Sequence, residues 1–131
     1  MITKGPSGAL SPYYYKGGYF HGIHYGSYFD DMDALASIMA AEEEFILHSP
    51  ERRKIMIDLY ETHLTQDMLS KFTTHIERLR SRITKIGFSC ETKLLKNLQK
   101  ALFRDCSIEK GCMYFSTDME EAKTWLVSDH A

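Results

Sequence analysis

The sequence predicts an α/β fold, a mixed and largely parallel sheet of four or five strands with about four helices packed on it. Three observations lead there. Short apolar runs such as Ile55-Met56-Ile57 alternate with stripes of helical period, of which Met68, Leu69, Phe72, Ile76 and Leu79 form the clearest. Strands that alternate with helices imply crossover connections, hence parallel neighbours. A chain of 131 residues, 44% apolar and 26% charged, fits one domain with one core.

The elements follow in order. Residues 1–12 hold Gly5, Ser7, Gly8, Ser11 and Pro12, a turn-forming composition that reads as a loose lead-in to a single domain over residues 13–131. In YYYKGGYFHGIHYGSYF, Lys16-Gly17-Gly18 divides two aromatic runs as a tight hairpin does, which predicts strands at residues 13–15 and 19–29. On the second strand Tyr19, His21, Ile23 and Tyr25 share one face; Phe20, Gly22, His24 and Gly26 share the other, where the glycines leave room for close packing. Asp30, Asp31 and Asp33 then open a helix, because carboxylates there meet free amides and the positive end of the helix dipole. Its apolar face runs through Leu35, Ile38, Met39 and Phe45 or Ile46, interrupted by Glu42, Glu43 and Glu44, and Ser49-Pro50 ends it.

Ile55-Met56-Ile57 is a buried strand between Lys54 and Asp58. Thr65 caps the next helix, whose stripe extends from Met68 to Ile83. Residues 85–89 form a strand, and residues 91–104 a basic helix with Leu94, Leu95, Leu98, Ala101 and Leu102 inside. Residues 112–116 form the last strand, and Thr117 or Asp118 caps a final helix that turns Met119, Ala122 and Trp125 or Leu126 inward.

Composition narrows the function classes. No apolar run approaches the roughly 20 residues that cross a bilayer, and the N-terminus does not read as a secretory signal, so the expected compartment is the cytoplasm. Cys90, Cys106 and Cys112 are odd in number and match neither a disulfide framework nor a C-x-x-C motif. Residues 30–51 carry seven acids and no base, while residues 71–104 carry nine bases against two acids, so the two segments attract different partners. Lys93, Lys96, Lys100 and Arg104 line one basic helix, yet without interleaved exposed aromatics they read as a solvated face rather than a nucleic-acid surface.

The order of a hairpin followed by helix, strand, helix, strand, helix, strand and helix resembles the STAS domains of anti-sigma-factor antagonists and sulfate transporters, and most of all their small stand-alone relatives. The resemblance covers residues 19–127. It rests on RKIMIDL running into LTQDMLSKF, on KIGFS before a leucine-rich helix, and on YFSTDMEEAKTWL. It implies a regulatory domain that works by contact rather than catalysis. Switching antagonists carry an Asp-Ser-Ser-Gly-like turn with a phosphorylated serine; here the turn reads His63-Leu64-Thr65-Gln66-Asp67, and Thr65 is the nearest hydroxyl. A phosphate at that helix N-terminus would be electrostatically favoured.

The remaining candidates are weighed residue by residue. Asp58, His63 and Asp67 would make a polar cluster at the carboxyl ends of parallel strands, where open α/β sheets hold their ligands. No nucleophile with a matched base is visible, so no catalytic residue is assigned and the chain is expected not to be an enzyme. Cys90 stands just before a helix, a setting that activates a thiol. His21 and His24 lie on opposite faces of a strand, which a shared metal ion does not tolerate; neither a metal nor a cofactor is expected. Tyr19, Phe20, His21, His24, Tyr25 and Tyr28 belong to the densest aromatic block of the chain and are candidates for a ligand pocket or a homodimer contact. Three functions follow: a protein-interaction domain, dimeric through its aromatic strands; a binder of a small apolar or lipid-like molecule between the sheet and the first helix; and a phospho-switched regulator using Thr65.

Overall fold

The computed structural model describes residues 3–128. Its main sheet has five strands in the order β3-β4-β5-β6-β7: β3 (Tyr13–Tyr15), β4 (Gly18–His24), β5 (Arg53–Asp58), β6 (Ile83–Ser89) and β7 (Met113–Ser116). β3 pairs antiparallel with β4, and every later pair is parallel. Three crossover helices connect the parallel strands: α1 (Met32–Leu47), α2 (Gln66–Leu79) and α3 (Thr92–Asp105). Strands laid down side by side in chain order, each with the same right-handed crossover, place all three helices on one face. The fourth helix, α4 (Met119–Leu126), follows β7 and packs on the opposite face.

Two apolar clusters flank the sheet. Ile23, Ile55, Ile57, Ile86 and Phe88 meet Leu35, Met39 and Ile46 of α1, Phe72, Ile76 and Leu79 of α2, and Leu98 and Leu102 of α3. On the other face Phe20 and Met56 meet Ala122 and Leu126 of α4, with Val127 beside them. The alternation of Phe20 and Ile23, and of Met56 and Ile57, to opposite sides is the period-two rule of a strand buried on both faces.

The hairpin between β3 and β4 closes as expected. Tyr15 pairs with Gly18, and Lys16 and Gly17 both have positive φ, at 45° and 89°, the backbone of a type I′ turn. β4 ends at His24 rather than reaching Phe29. Tyr25 still donates its amide to the Asp58 carbonyl at 3.0 Å, but Ser27 and Phe29 take positive φ and bend the chain away. Ile83, placed by periodicity at the end of the α2 stripe, instead opens β6.

Residues 3–12, read from sequence as part of a loose lead-in, carry two short strands. β1 (Thr3–Lys4) and β2 (Leu10–Ser11) form a small antiparallel hairpin against β4. Gly22 makes room for it: a Cβ there would lie 3.1 Å from the Ala9 methyl. The hairpin is tied to Glu42, which sits at the point where the apolar stripe of α1 seemed broken. Glu42 is fully buried, its Oε1 facing His21 Nε2 at 3.0 Å and its Oε2 accepting from the Ser7 amide at 3.0 Å. The other ring nitrogen of His21 is bonded to the Ser11 hydroxyl. A buried carboxylate is tolerable only when its oxygens are satisfied in this way.

Candidate functional site

The carboxyl ends of β4 and β5 place His24 beside Asp58. The His24 Nδ1 lies 2.8 Å and 3.0 Å from the two carboxylate oxygens, the imidazole side chain 48% exposed and the carboxylate 16%. Parallel pairing of His24 with Asp58 sets this contact, since paired residues of parallel strands project side by side. Gly26 makes the geometry possible, because a Cβ there would fall 2.6 Å from Asp58 Oδ1 and 2.8 Å from the Tyr60 carbonyl. Ser7 joins from the N-terminal hairpin, its hydroxyl accepting from the His24 backbone amide at 2.9 Å.

This dyad borders a cavity of about 580 Å³ between the hairpin, the sheet and α4. Leu10, Tyr13, Phe20, Met56 and Met119 supply apolar walls, and Lys123 stands at the rim. The Lys123 ammonium lies 5.6 Å from the Tyr13 ring centre and 5.7 Å from that of Tyr15. Apolar walls with a few convergent polar groups, at the carboxyl edge of a parallel sheet, are the usual form of a small-molecule site.

The expected polar cluster is divided among three partners. Asp58 turns to His24, His63 to Asp30 with its Nδ1 2.9 Å from Oδ1, and Asp67 to Lys71 at 3.2 Å one helical turn on. The chain from Leu59 to Leu64 causes this. It crosses toward the start of α1, donating the His63 amide to the Phe29 carbonyl at 2.8 Å, and so carries His63 away from the β5 end. Thr65 is exposed and caps α2 by accepting from the Met68 amide at 3.1 Å.

The aromatic candidates also separate. Tyr19 is exposed, whereas Phe20 is buried against α4. His21 is consumed by Glu42 and Ser11 on the α1 face. Tyr25 is core, its hydroxyl 2.9 Å from His75 Nε2 while His75 Nδ1 lies 3.0 Å from Glu43 Oε1. Burial pushes the Tyr25 hydroxyl far above its ordinary range, and burial holds the His75 imidazole below its ordinary value despite the Glu43 carboxylate. Tyr28 is half-buried against the main core. The space between the sheet and the body of α1, expected to hold a ligand, is filled by Ile23, Tyr25, Leu35, Met39 and Ile46; the cavity beside the His24–Asp58 dyad lies on the opposite face.

Cys90 is fully buried, and burial pushes its thiol up to about 12, the reverse of activation. Sequence reasoning missed the pairing of His24 with Asp58 and the contribution of Ser7, Leu10 and Lys123. The signal available for the dyad was its position, one polar residue at the end of each of two adjacent strands. No helix among the described residues is long and apolar enough to cross a membrane. No protein-family model, curated protein or solved structure matches this chain.

Proposed function

We propose that this chain is a non-enzymatic, STAS-like regulatory domain that binds a small apolar molecule in the hollow beneath its N-terminal hairpin. The observation that carries the ligand reading is the cavity of about 580 Å³, with largely apolar walls and polar groups at Ser7, at the His24–Asp58 end and at Lys123. The regulatory, STAS-like part is supported by the element order and by parallel strands laid down in chain order with α1, α2 and α3 on one face. The polar groups serve recognition. With Nδ1 of His24 on the carboxylate, Nε2 points away from it and presents one hydrogen-bonding position, while Lys123, held loosely by Glu120 at 3.8 Å, offers a cation for an acidic head group.

Native mass spectrometry of freshly purified protein, followed by titration with decanoate monitored by amide chemical shifts, tests this reading. A retained adduct, or saturable shifts at His24, Asp58 and Met119 that vanish in Met119→Trp, is the expected result. A clean protein mass together with no saturable shift would sink the ligand reading.

A second reading, contact between two copies, is favoured by the edge of the sheet. Tyr14 is 58% exposed and Tyr19 56%, their rings meeting edge to face at 5.0 Å on the outermost strand pair. Light scattering across a concentration series decides it: a dimer lost in Tyr14→Glu/Tyr19→Glu supports the contact, and a monomer at every concentration refutes it.

A further inference from the structure

A second hollow, of about 610 Å³, lies at the opposite, amino end of β4, β5 and β6. We propose that it is a binding site for a small anion carrying a flat ring, such as an aryl phosphate or aryl carboxylate. It goes beyond the ligand reading above and shares with that hollow only Phe20.

Charge points to an anion. Arg52, Arg53 and Lys54 are consecutive and all line the hollow, against one lining carboxylate, Glu51, which is itself largely exposed. Arg52 is held in place by donating from Nη2 to the Ile83 carbonyl at 2.9 Å. Arg53 is the decisive group. Its side chain is only 16% exposed, its Nη2 reaches Glu51 only at 3.5 Å, and its buried Nε–H has no hydrogen-bond partner among the described residues. A buried donor left unsatisfied is destabilising, which is why such groups are rare. The Nε is closed off from solvent, so an oxyanion in the hollow meets the terminal guanidinium nitrogens, which Glu51 holds only at 3.5 Å; two such nitrogens donate in parallel to two oxygens.

The walls call for a ring. Phe45 is partly exposed at the mouth, with one side stacked on His21 at 5.6 Å and 20°. Exposed Tyr19 and the edge of buried Phe20 also line the hollow, and Gly17 adds backbone with nothing within 4 Å of where a Cβ would be. Aromatic lining of this kind favours a planar ring, which can stack on it or meet it edge to face. Phosphate and carboxylate share the chemistry that Arg53 recognises, so the probes separate them.

Titration with phenyl phosphate, benzoate and inorganic phosphate, read by amide shifts on the full chain, tests the site. Saturable shifts at Phe45, Arg53 and Thr84 with phenyl phosphate or benzoate are expected, with the tighter of the two identifying the acid. Inorganic phosphate should bind at least tenfold more weakly than phenyl phosphate if the aryl phosphate is preferred. Arg53→Gln should weaken binding at least tenfold, and Arg53→Lys, which keeps the charge but lacks the paired guanidinium donors, several-fold. His24→Ala should leave it unchanged, which distinguishes this site from the other hollow. Unaltered affinity in both Arg53 variants, or no saturable shift with either aryl anion, overturns the proposal. Should Arg53→Gln fail to fold, Arg53→Lys and Phe45→Ala carry the test.

Discussion

At the scale of single residues, the strand ends are governed by steric permission as much as by chemistry. His24 and Asp58 meet because Gly26 keeps clear of the carboxylate that they share. Gly26→Ala would set a methyl against Asp58 Oδ1 and the Tyr60 carbonyl, both under 3.0 Å away. The expected cost is about 1–3 kcal/mol, typical of overpacking where backbone cannot give way. A urea midpoint unchanged in Gly26→Ala would show that the turn relaxes freely. In the sequence Gly26 was legible only as one more small residue on the second face of a strand; that the strand ends two residues earlier is invisible to periodicity. Cys90 teaches the same lesson in reverse. Its place before a helix suggested activation, but burial outweighs the helix terminus.

At the scale of elements, local signals sufficed where they were redundant. α2 has a Thr65 cap bonded to the Met68 amide, Asp67 in its first turn and a buried stripe of Met68, Leu69, Phe72, Ile76 and Leu79. Thr65→Ala should lower stability by about 1 kcal/mol, the usual worth of an N-cap. The check is the urea midpoint with an unchanged slope, and Thr65→Ser should retain most of the stability. The N-terminal hairpin shows the limit of local reading. Two-residue strands have no period to detect, and Gly5, Ser7 and Gly8 look like any loop. What orders them is distant: Ala9 against Gly22, Ser7 on Glu42 and Ser11 on His21. The same contacts explain Glu42, which by spacing alone broke an apolar face.

At the scale of the whole molecule, two buried ionisable groups tie stability to pH with the same sign. Burial would raise the Glu42 carboxyl, but hydrogen bonds from His21 and Ser7 outweigh it and hold the group below its ordinary 4.5. Its contribution is therefore present above that value and lost as pH falls through the lower, folded value. His75 is held by burial below its ordinary 6.5, so the unfolded chain takes up a proton there before the folded one does. Stability should be full above 6.5 and decline as pH falls below it. Urea midpoints measured from pH 7.5 to 4.0 should fall continuously, and His75→Gln should flatten the upper part of that decline. A midpoint that rises on acidification would contradict a His75 imidazole held below its ordinary value by burial.

The α/β class, the hairpin turn, the three crossover helices and their inward faces were determined by the sequence itself, because each depends on residues within one or two turns of chain. The sites were not. His24 meets Asp58, Glu42 finds His21 and Ser7, and Arg53 faces an aromatic mouth only once strands distant in sequence lie side by side. Tertiary structure alone decided where the hollows lie. Packing fills the space under the body of α1 with branched aliphatic and aromatic side chains, but leaves the α4 side, covered by one short helix and a small hairpin, and the amino ends of the strands beside Phe45 incompletely closed.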